Sequence, residues 1–230
     1  MRYLLGLLAV AALAGVALWA VRIEARRRLA ARLEFIERFR FPLRLASETR
    51  ERYPQLGPAD LRRVEHALRQ YFRLCARARL KRVAMPSRVV DAMWHAWILD
   101  TRAYANFCKL AFGRFLHHTP AESMRSATEP TIGIHRAWQL ACADEGMAAR
   151  VPTRLPLLFA LDGELAVPDG FRYAPNCRGV ARSDGTGIVY CGSDAAGCAG
   201  GGDGDGGSGG HGGDGDGGGC SGGGCGGGGD

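Results

Sequence analysis

The sequence predicts a mainly α-helical protein with an N-terminal transmembrane helix, a small helical domain, a short β-hairpin and a disordered glycine-rich tail. Three observations lead to this fold class. An uncharged apolar stretch lies near the N-terminus, apolar residues recur at spacings of three and four through the body of the chain, and 21 of the 34 glycines fall within residues 200–230. Outside that tail the composition is ordinary for a globular protein, which excludes collagen-like and fully disordered classes for the body.

The first predicted element is a membrane anchor over residues 1–21. The 19 residues from Tyr3 to Val21 carry no charge, and as a helix they would span about 28 Å, close to the hydrocarbon thickness of a bilayer. Five arginines and one glutamate follow, so the positive-inside rule places the remainder in the cytoplasm. This predicts a single-pass protein of the inner cell membrane, with the lipid bilayer as a partner and a cytoplasmic C-terminal domain. A cleaved signal peptide and a buried core helix are the alternative interpretations.

The second predicted element is a basic juxtamembrane helix over residues 22–42, which the helix-breaking Pro42 ends. Its apolar residues recur at helical spacing, and its arginines would either lie on anionic lipid or surround a solvated stalk. The solvated stalk is the favoured interpretation.

Residues 43–150 form the predicted helical domain. One helix starts after the sequence Gly57-Pro58-Ala59-Asp60, with apolar residues on one face and arginines over the rest. A second begins after the N-cap Ser87, and a third begins at Asp100 and ends at Gly113, a residue type that commonly closes helices.

Two further helices complete this predicted domain. The sequence Thr119-Pro120-Ala121-Glu122 is a capping box with proline at the first helical position, which predicts a short helix. A longer helix follows Pro130 and ends near Asp144.

The rest of the chain is predicted to be a small irregular or β extension over residues 151–198 and a disordered tail over residues 199–230. Apolar residues on both sides of Asp162-Gly163 indicate a short hairpin. In the tail a seven-residue stretch of glycine and aspartate recurs unchanged eleven residues later, without the aliphatic residues that a calcium-binding repeat needs. The tail is therefore predicted to be a flexible, weakly acidic coil.

The net charge of +7 raises the question of nucleic-acid binding. The arginines of the helical domain lie on helix faces without interleaved aromatic residues, and no nucleic-acid-binding motif is present. We therefore interpret these faces as solvated and expect no specific nucleic-acid partner.

One stretch combines residues that could carry chemistry. Asp91 and His95 are four residues apart, so on a helix the carboxylate can orient the imidazole. Cys108 lies on the next predicted helix, and His117 and His118 follow in the loop after it. Folding the two helices as a hairpin would bring these five residues together as ligands for Zn²⁺ or another borderline metal. The alternative is structural, with a buried histidine bonded to its carboxylate and a thiol that packs as a small apolar group.

The same stretch resembles a known family. Residues 85–120 contain the string P-x-x-x-V-D-x-M-W-H-x-W-I-L-D-T-x-x-Y-x-x-F-C followed by F-G-R-F-L-H-H, which is similar to the glycine-rich domain-containing protein family of plants and bacteria. The glycine-rich, cysteine-containing C-terminus is a second shared trait. Members carry a second histidine two residues after the first, where this chain has Trp97, so the resemblance implies that a metal site with two histidines from this helix is not available. It implies that residues 90–118 form a module without naming its chemistry.

Five further cysteines lie near or within the tail, and their spacing matches no zinc finger or knuckle. They are Cys177, Cys191, Cys198, Cys220 and Cys225. Exposed thiols in such a context would either capture a soft metal, together with His211, or be incidental to a low-complexity spacer.

These features predict a non-catalytic interaction or scaffold protein whose flexible tail reaches an unknown protein partner. The anchor, the tail and the lack of a complete catalytic set lead to this prediction. The alternative is a metal-binding protein or a metal-dependent enzyme that uses the five candidate ligands. Whether the protein is an enzyme is left open by the sequence.

Overall fold

The computed structural model describes residues 2–118, 128–175 and 189–191, and it gives side-chain detail for these except residues 2, 4–11, 128–131 and 189–191. Over these ranges the chain is mainly helical, which confirms the mainly α-helical part of the predicted fold class. The elements are α1 (Arg2–Arg38), α2 (Arg44–Arg52), α3 (Pro58–Ala78), α4 (Arg88–Ile98), α5 (Thr101–Phe112), α6 (Thr128–Asp144), α7 (Leu157–Glu164), β1 (Arg172–Ala174) and β2 (Val189–Cys191).

Parts of the prediction fall outside the described ranges. They are the short helix at Thr119–Glu122, residues 176–188 and 192–198 of the predicted extension, and the glycine-rich tail. The metal-capture hypothesis for the five C-terminal cysteines and His211 likewise lies outside the residues whose side chains are described. The chain divides by its contacts into a unit from Met1 to Ala199 and a unit from Gly200 to Asp230. The disorder of the tail and the domain boundaries therefore stay predictions.

The predicted membrane anchor is wrong. Among the residues that the structure describes, no helix combines the length and the apolar character that crossing a bilayer requires. The single-pass, inner-membrane placement predicted from this segment is corrected accordingly.

The C-terminal part of α1 packs against the core. Ile36 is fully buried, and Leu29, Leu33 and Phe35 are partly buried against the same cluster. The guanidinium of Arg69 on α3 donates to backbone carbonyls at the end of this helix. Residues predicted as a juxtamembrane stalk therefore contribute to the hydrophobic core, because apolar positions on one face of the helix bury against α3 and α5.

Helix α3 lies at the centre of the fold and contacts α1, α4, α6 and α7. It begins at Pro58, and the Asp60 carboxylate accepts the backbone N–H of Gly57 at 3.0 Å, which satisfies one of the donors that a helix start leaves unpaired. Leu61, Val64, Leu68, Phe72 and Cys75 lie on its buried face, as their spacing predicts.

Helices α4 and α5 begin and end where the sequence predicts. The Ser87 hydroxyl accepts the backbone N–H of Val90, and the Asp100 carboxylate accepts that of Ala103. Gly113 closes α5 with φ of 70°, a left-handed conformation that glycine adopts without strain. These local contacts set the limits of two helices that matter for the predicted site. They carry three of the five predicted site residues, Asp91, His95 and Cys108, and the other two, His117 and His118, follow α5 directly.

The predicted hairpin is wrong. Residues 157–164 form helix α7, and β1 pairs with β2 in a parallel register, whereas a hairpin pairs its strands antiparallel. Leu158, Phe159 and Leu161 are buried against α3, α4 and α6. A short apolar run does not by itself distinguish a buried helix from a buried strand.

Candidate functional site

The solvent-facing side of α4 carries the first two site residues. Asp91 and His95 lie one helical turn apart, while Val90, Met93, Trp94 and other residues of the same helix face the core. The Nδ1 atom of His95 lies 3.3 Å from Oδ2 of Asp91 and 2.9 Å from its backbone carbonyl oxygen. The amphipathic pattern of the helix thus places a carboxylate and an imidazole side by side on its outer face.

His118 completes a cluster of three. It lies in the segment after α5, and its Nε2 atom is 3.0 Å from Oδ1 of Asp91. The rings of His95 and His118 have centroids 4.0 Å apart. One ligand atom from each of Asp91, His95 and His118 lies within 4.8 Å of those of the other two.

This spacing suits a small metal ion. Ligands at the usual 2.0–2.2 Å from a tetrahedral zinc are separated by about 3.3–3.6 Å. The distances between the carboxylate oxygens of Asp91 and the nearest nitrogens of the two imidazoles, 3.3 Å and 3.0 Å, are close to this range. The side chains are 22% exposed at Asp91, 49% at His95 and 16% at His118. The cluster is therefore anchored in the fold on one side and open to solvent on the other.

Cys108 does not join this cluster. Its thiol is fully buried beneath α5, where it contacts the hydroxyl of Tyr104 and the backbone of Leu116. Burial raises the pKa of the Cys108 thiol, against the smaller lowering by these hydrogen bonds. A thiol held neutral in the core is a poor metal ligand, since metals bind the thiolate.

His117 also lies outside the cluster. Its side chain is exposed, and its ring packs against Phe115 with centroids 4.8 Å apart. Neighbouring residues of an extended segment point in opposite directions, so the segment that turns His118 towards Asp91 turns His117 away. Of the five predicted ligands, the structure brings together Asp91, His95 and His118.

Trp97 occupies the interior. It is fully buried, with ring centroids 4.4 Å from Phe107 and 5.2 Å from Phe39. Because it is two residues from His95, it lies on the opposite side of α4 from the cluster. A histidine at this position would therefore face the core, and the second imidazole comes instead from His118.

Two supporting residues were not predicted as part of the site. Neither Trp94 nor Tyr104 is among the five predicted ligands, yet the Trp94 ring contacts the His118 ring edge-on, with centroids 4.8 Å apart. The Trp94 Nε1–H group donates to the Tyr104 hydroxyl at 3.1 Å. The only available sequence signal was that both are aromatic residues with a polar group, which need a partner when buried.

Comparison with known proteins identifies the family. No curated protein and no solved structure matches the chain significantly. The profile of the UCP032817-like family matches residues 31–195, which is 165 of the 230 residues. The resemblance to the glycine-rich domain-containing family is therefore wrong: the match ends before the glycine-rich tail, whose composition was one of the two traits behind that resemblance. The matched range includes all three clustered residues, and the chain belongs to the UCP032817-like family.

Proposed function

We propose that this protein binds a divalent transition-metal ion through Asp91, His95 and His118. The observation that carries the proposal is the convergence of two imidazoles and a carboxylate from two separate segments of the fold. Asp91 and His118 are 27 residues apart in the sequence, and their side chains still approach to 3.0 Å.

The donor set indicates the class of metal. Imidazole nitrogen with one carboxylate oxygen suits Zn²⁺ and Fe²⁺ better than Ca²⁺ or Mg²⁺, which prefer oxygen ligands throughout.

Three protein ligands leave coordination positions for water or a small ligand. Sites of this kind are typical of catalytic metals, whereas structural zinc sites use four protein ligands. A metal bound here would supply Lewis acidity to a water molecule on the exposed side of the cluster. Metal-dependent chemistry is therefore the kind of activity that this proposal allows.

The test is metal content of the reduced, full-length chain, with elemental analysis after dialysis against excess Zn²⁺. We expect His95→Ala and His118→Ala to hold one zinc ion fewer than the wild type, because each removes one of only three ligands. His117→Ala is the matched control: it removes an adjacent histidine outside the cluster and should hold as much zinc as the wild type. Zinc captured by the tail cysteines is common to all four proteins and cancels in the comparison.

A second measurement separates the cluster from thiol sites. Substitution with Co²⁺ should give visible absorption that His118→Ala lowers, without a matching loss of the near-ultraviolet band that thiolate ligands produce. Equal metal content in the wild type and in folded His95→Ala and His118→Ala would contradict the proposal. The three residues would then be a hydrogen-bonded surface network.

The interaction or scaffold function stays a prediction. It depended on the glycine-rich tail, which lies outside the described residues, and on the anchor, which is corrected above. The expectation of no specific nucleic-acid partner likewise stays a prediction.

A further inference from the structure

We infer that Tyr104 is the positioning residue of the metal site: its buried hydroxyl links the helix that carries Asp91 and His95 to the segment that carries His118. This inference rests on the proposed metal-binding function. It assigns a role to a side chain that touches none of the three ligands.

The hydroxyl of Tyr104 joins three parts of the fold. It accepts the indole N–H of Trp94 on α4 at 3.1 Å, and it donates to the backbone carbonyl of Leu116 at 2.7 Å. Tyr104 itself lies on α5 and is fully buried. Both partners are therefore held from one point in the buried interior, where each hydrogen bond is expensive to lose.

The segment from Gly113 to His118 depends on this contact. It has no regular secondary structure, so no helical or sheet ladder fixes its backbone. Leu116 is two residues before His118, and its carbonyl is the group that Tyr104 holds. Two residues of extended chain span only about 7 Å, so fixing Leu116 restricts where the His118 imidazole can lie.

The other bond of Tyr104 acts on the same imidazole from the opposite side. Trp94 contacts the His118 ring edge-on, and the Trp94 N–H bond to Tyr104 fixes the orientation of that indole. Tyr104 therefore controls both the segment that delivers His118 and the aromatic surface against which His118 rests.

The hydroxyl keeps its proton under ordinary conditions. Burial raises the pKa of Tyr104 far above its usual value, so the group remains a hydrogen-bond donor to Leu116.

The experiment compares Tyr104→Phe with Tyr71→Phe in the full-length chain. Tyr71 is an almost identical control: it is buried, lies four residues before a buried cysteine, contacts the Trp94 ring, and donates to a backbone carbonyl, that of Val83, at 3.0 Å. Each substitution removes one buried hydroxyl and keeps the ring. The readouts are the Zn²⁺ dissociation constant, from competition with a chelator, and the melting temperature of the metal-free protein.

We expect Tyr104→Phe to weaken Zn²⁺ binding at the cluster about tenfold, the lower end of the effect of removing residues that orient metal ligands. Tyr71→Phe should leave the dissociation constant unchanged, although both variants melt at a lower temperature. The substitutions leave the tail cysteines unchanged, so the dissociation constant is taken from the part of the zinc binding that His118→Ala removes.

Equal dissociation constants for the wild type, Tyr104→Phe and Tyr71→Phe would overturn the inference and leave metal binding intact. Absence of any binding that depends on His118 would overturn the proposed function, and this inference with it. If Tyr104→Phe does not fold, Trp94→Phe decides the question. This substitution keeps an aromatic ring against His118 and removes the N–H group that bonds to Tyr104. A higher Zn²⁺ dissociation constant would therefore support the inference, and an unchanged dissociation constant would overturn it.

Discussion

At the scale of the residue, Asp162 shows how one buried carboxylate fixes the start of α4. It is almost completely buried, and it accepts the Ser87 hydroxyl at 2.7 Å, the Arg88 N–H at 2.7 Å and the Val89 N–H at 3.2 Å. It also accepts the N–H of Phe171 at 3.0 Å. A negative charge at a helix N-terminus is favourable both for these unpaired donors and for the helix dipole. Helix α4, which carries Asp91 and His95, is therefore held in place by a residue on α7.

Asp162→Ala should lower the free energy of unfolding by about 3 kcal/mol, because it leaves several buried donors without a partner. Urea unfolding followed by circular dichroism measures this. Glu164→Ala is the control, since that carboxylate is half exposed and pairs with Arg63 at the surface, so its loss should cost less than about 1 kcal/mol. Similar decreases in the free energy of unfolding for the two variants would show that the hydrogen bonds of Asp162 at the start of α4 contribute little to stability.

At the scale of the element, an ion-pair network joins α6 to α3 and α1. The Asp144 carboxylate at the end of α6 is buried and pairs with Arg73 at 2.7 Å and with Arg77. Arg73 also reaches Glu37 on α1 at 3.0 Å. Burial alone would raise the pKa of Asp144, but the hydrogen bonds and charges of Arg73 and Arg77 outweigh it and hold the pKa below its ordinary value.

This shift predicts a pH dependence of stability. A carboxyl group whose pKa is lower in the folded state stabilises the fold above its unfolded pKa of about 3.9, and the contribution is lost as pH falls through the folded pKa. The wild type should therefore be more stable than Asp144→Asn by about 2 kcal/mol at neutral pH. The difference should shrink below about pH 4. Urea unfolding of both proteins from pH 7 to pH 3 measures it, and a difference that stays constant over this range would contradict the assignment.

At the scale of the whole molecule, the proposed metal would join α4 to the segment after α5. A ligand that binds the folded state alone raises the free energy of unfolding, by about 2.7 kcal/mol at a free concentration one hundred times its dissociation constant. We expect Zn²⁺ to raise the melting temperature of the wild type and of His117→Ala, and to raise that of His118→Ala less. An equal rise in all three would assign the stabilisation to the tail thiols or to another site.

Several features of the fold and site could be predicted from the sequence because they depend on contacts within about four residues. Ser87, Asp100 and Gly113 mark helix ends through hydrogen bonds or dihedral angles of their own backbone neighbourhood. The buried face of α3 follows from apolar spacing in the same way. The pairing of Asp91 with His95 needed only the geometry of one helical turn.

Other features could not be predicted because they depend on residues distant in the chain. The apolar run at residues 157–161 is compatible with helix or strand, and its burial between α3, α4 and α6 selects the helix. Asp162 was interpreted as part of a turn, yet its carboxylate caps a helix more than seventy residues earlier. The positions of these residues in the sequence likewise do not show that His118 joins the cluster and His117 does not. They also give no reason to exclude Cys108 from the predicted ligands.

The sequence by itself determined a mainly helical chain, the limits of α4 and α5, and a set of five candidate ligands. The tertiary structure alone decided that Asp91, His95 and His118 converge, that Cys108 is buried in the core outside their cluster, and that Tyr104 connects the two segments. The physical reason is that helix ends and helix faces depend on hydrogen bonds and spacing over a few residues. A site built from two segments depends on how α4, α5 and the chain after them pack on α3, which no local pattern specifies.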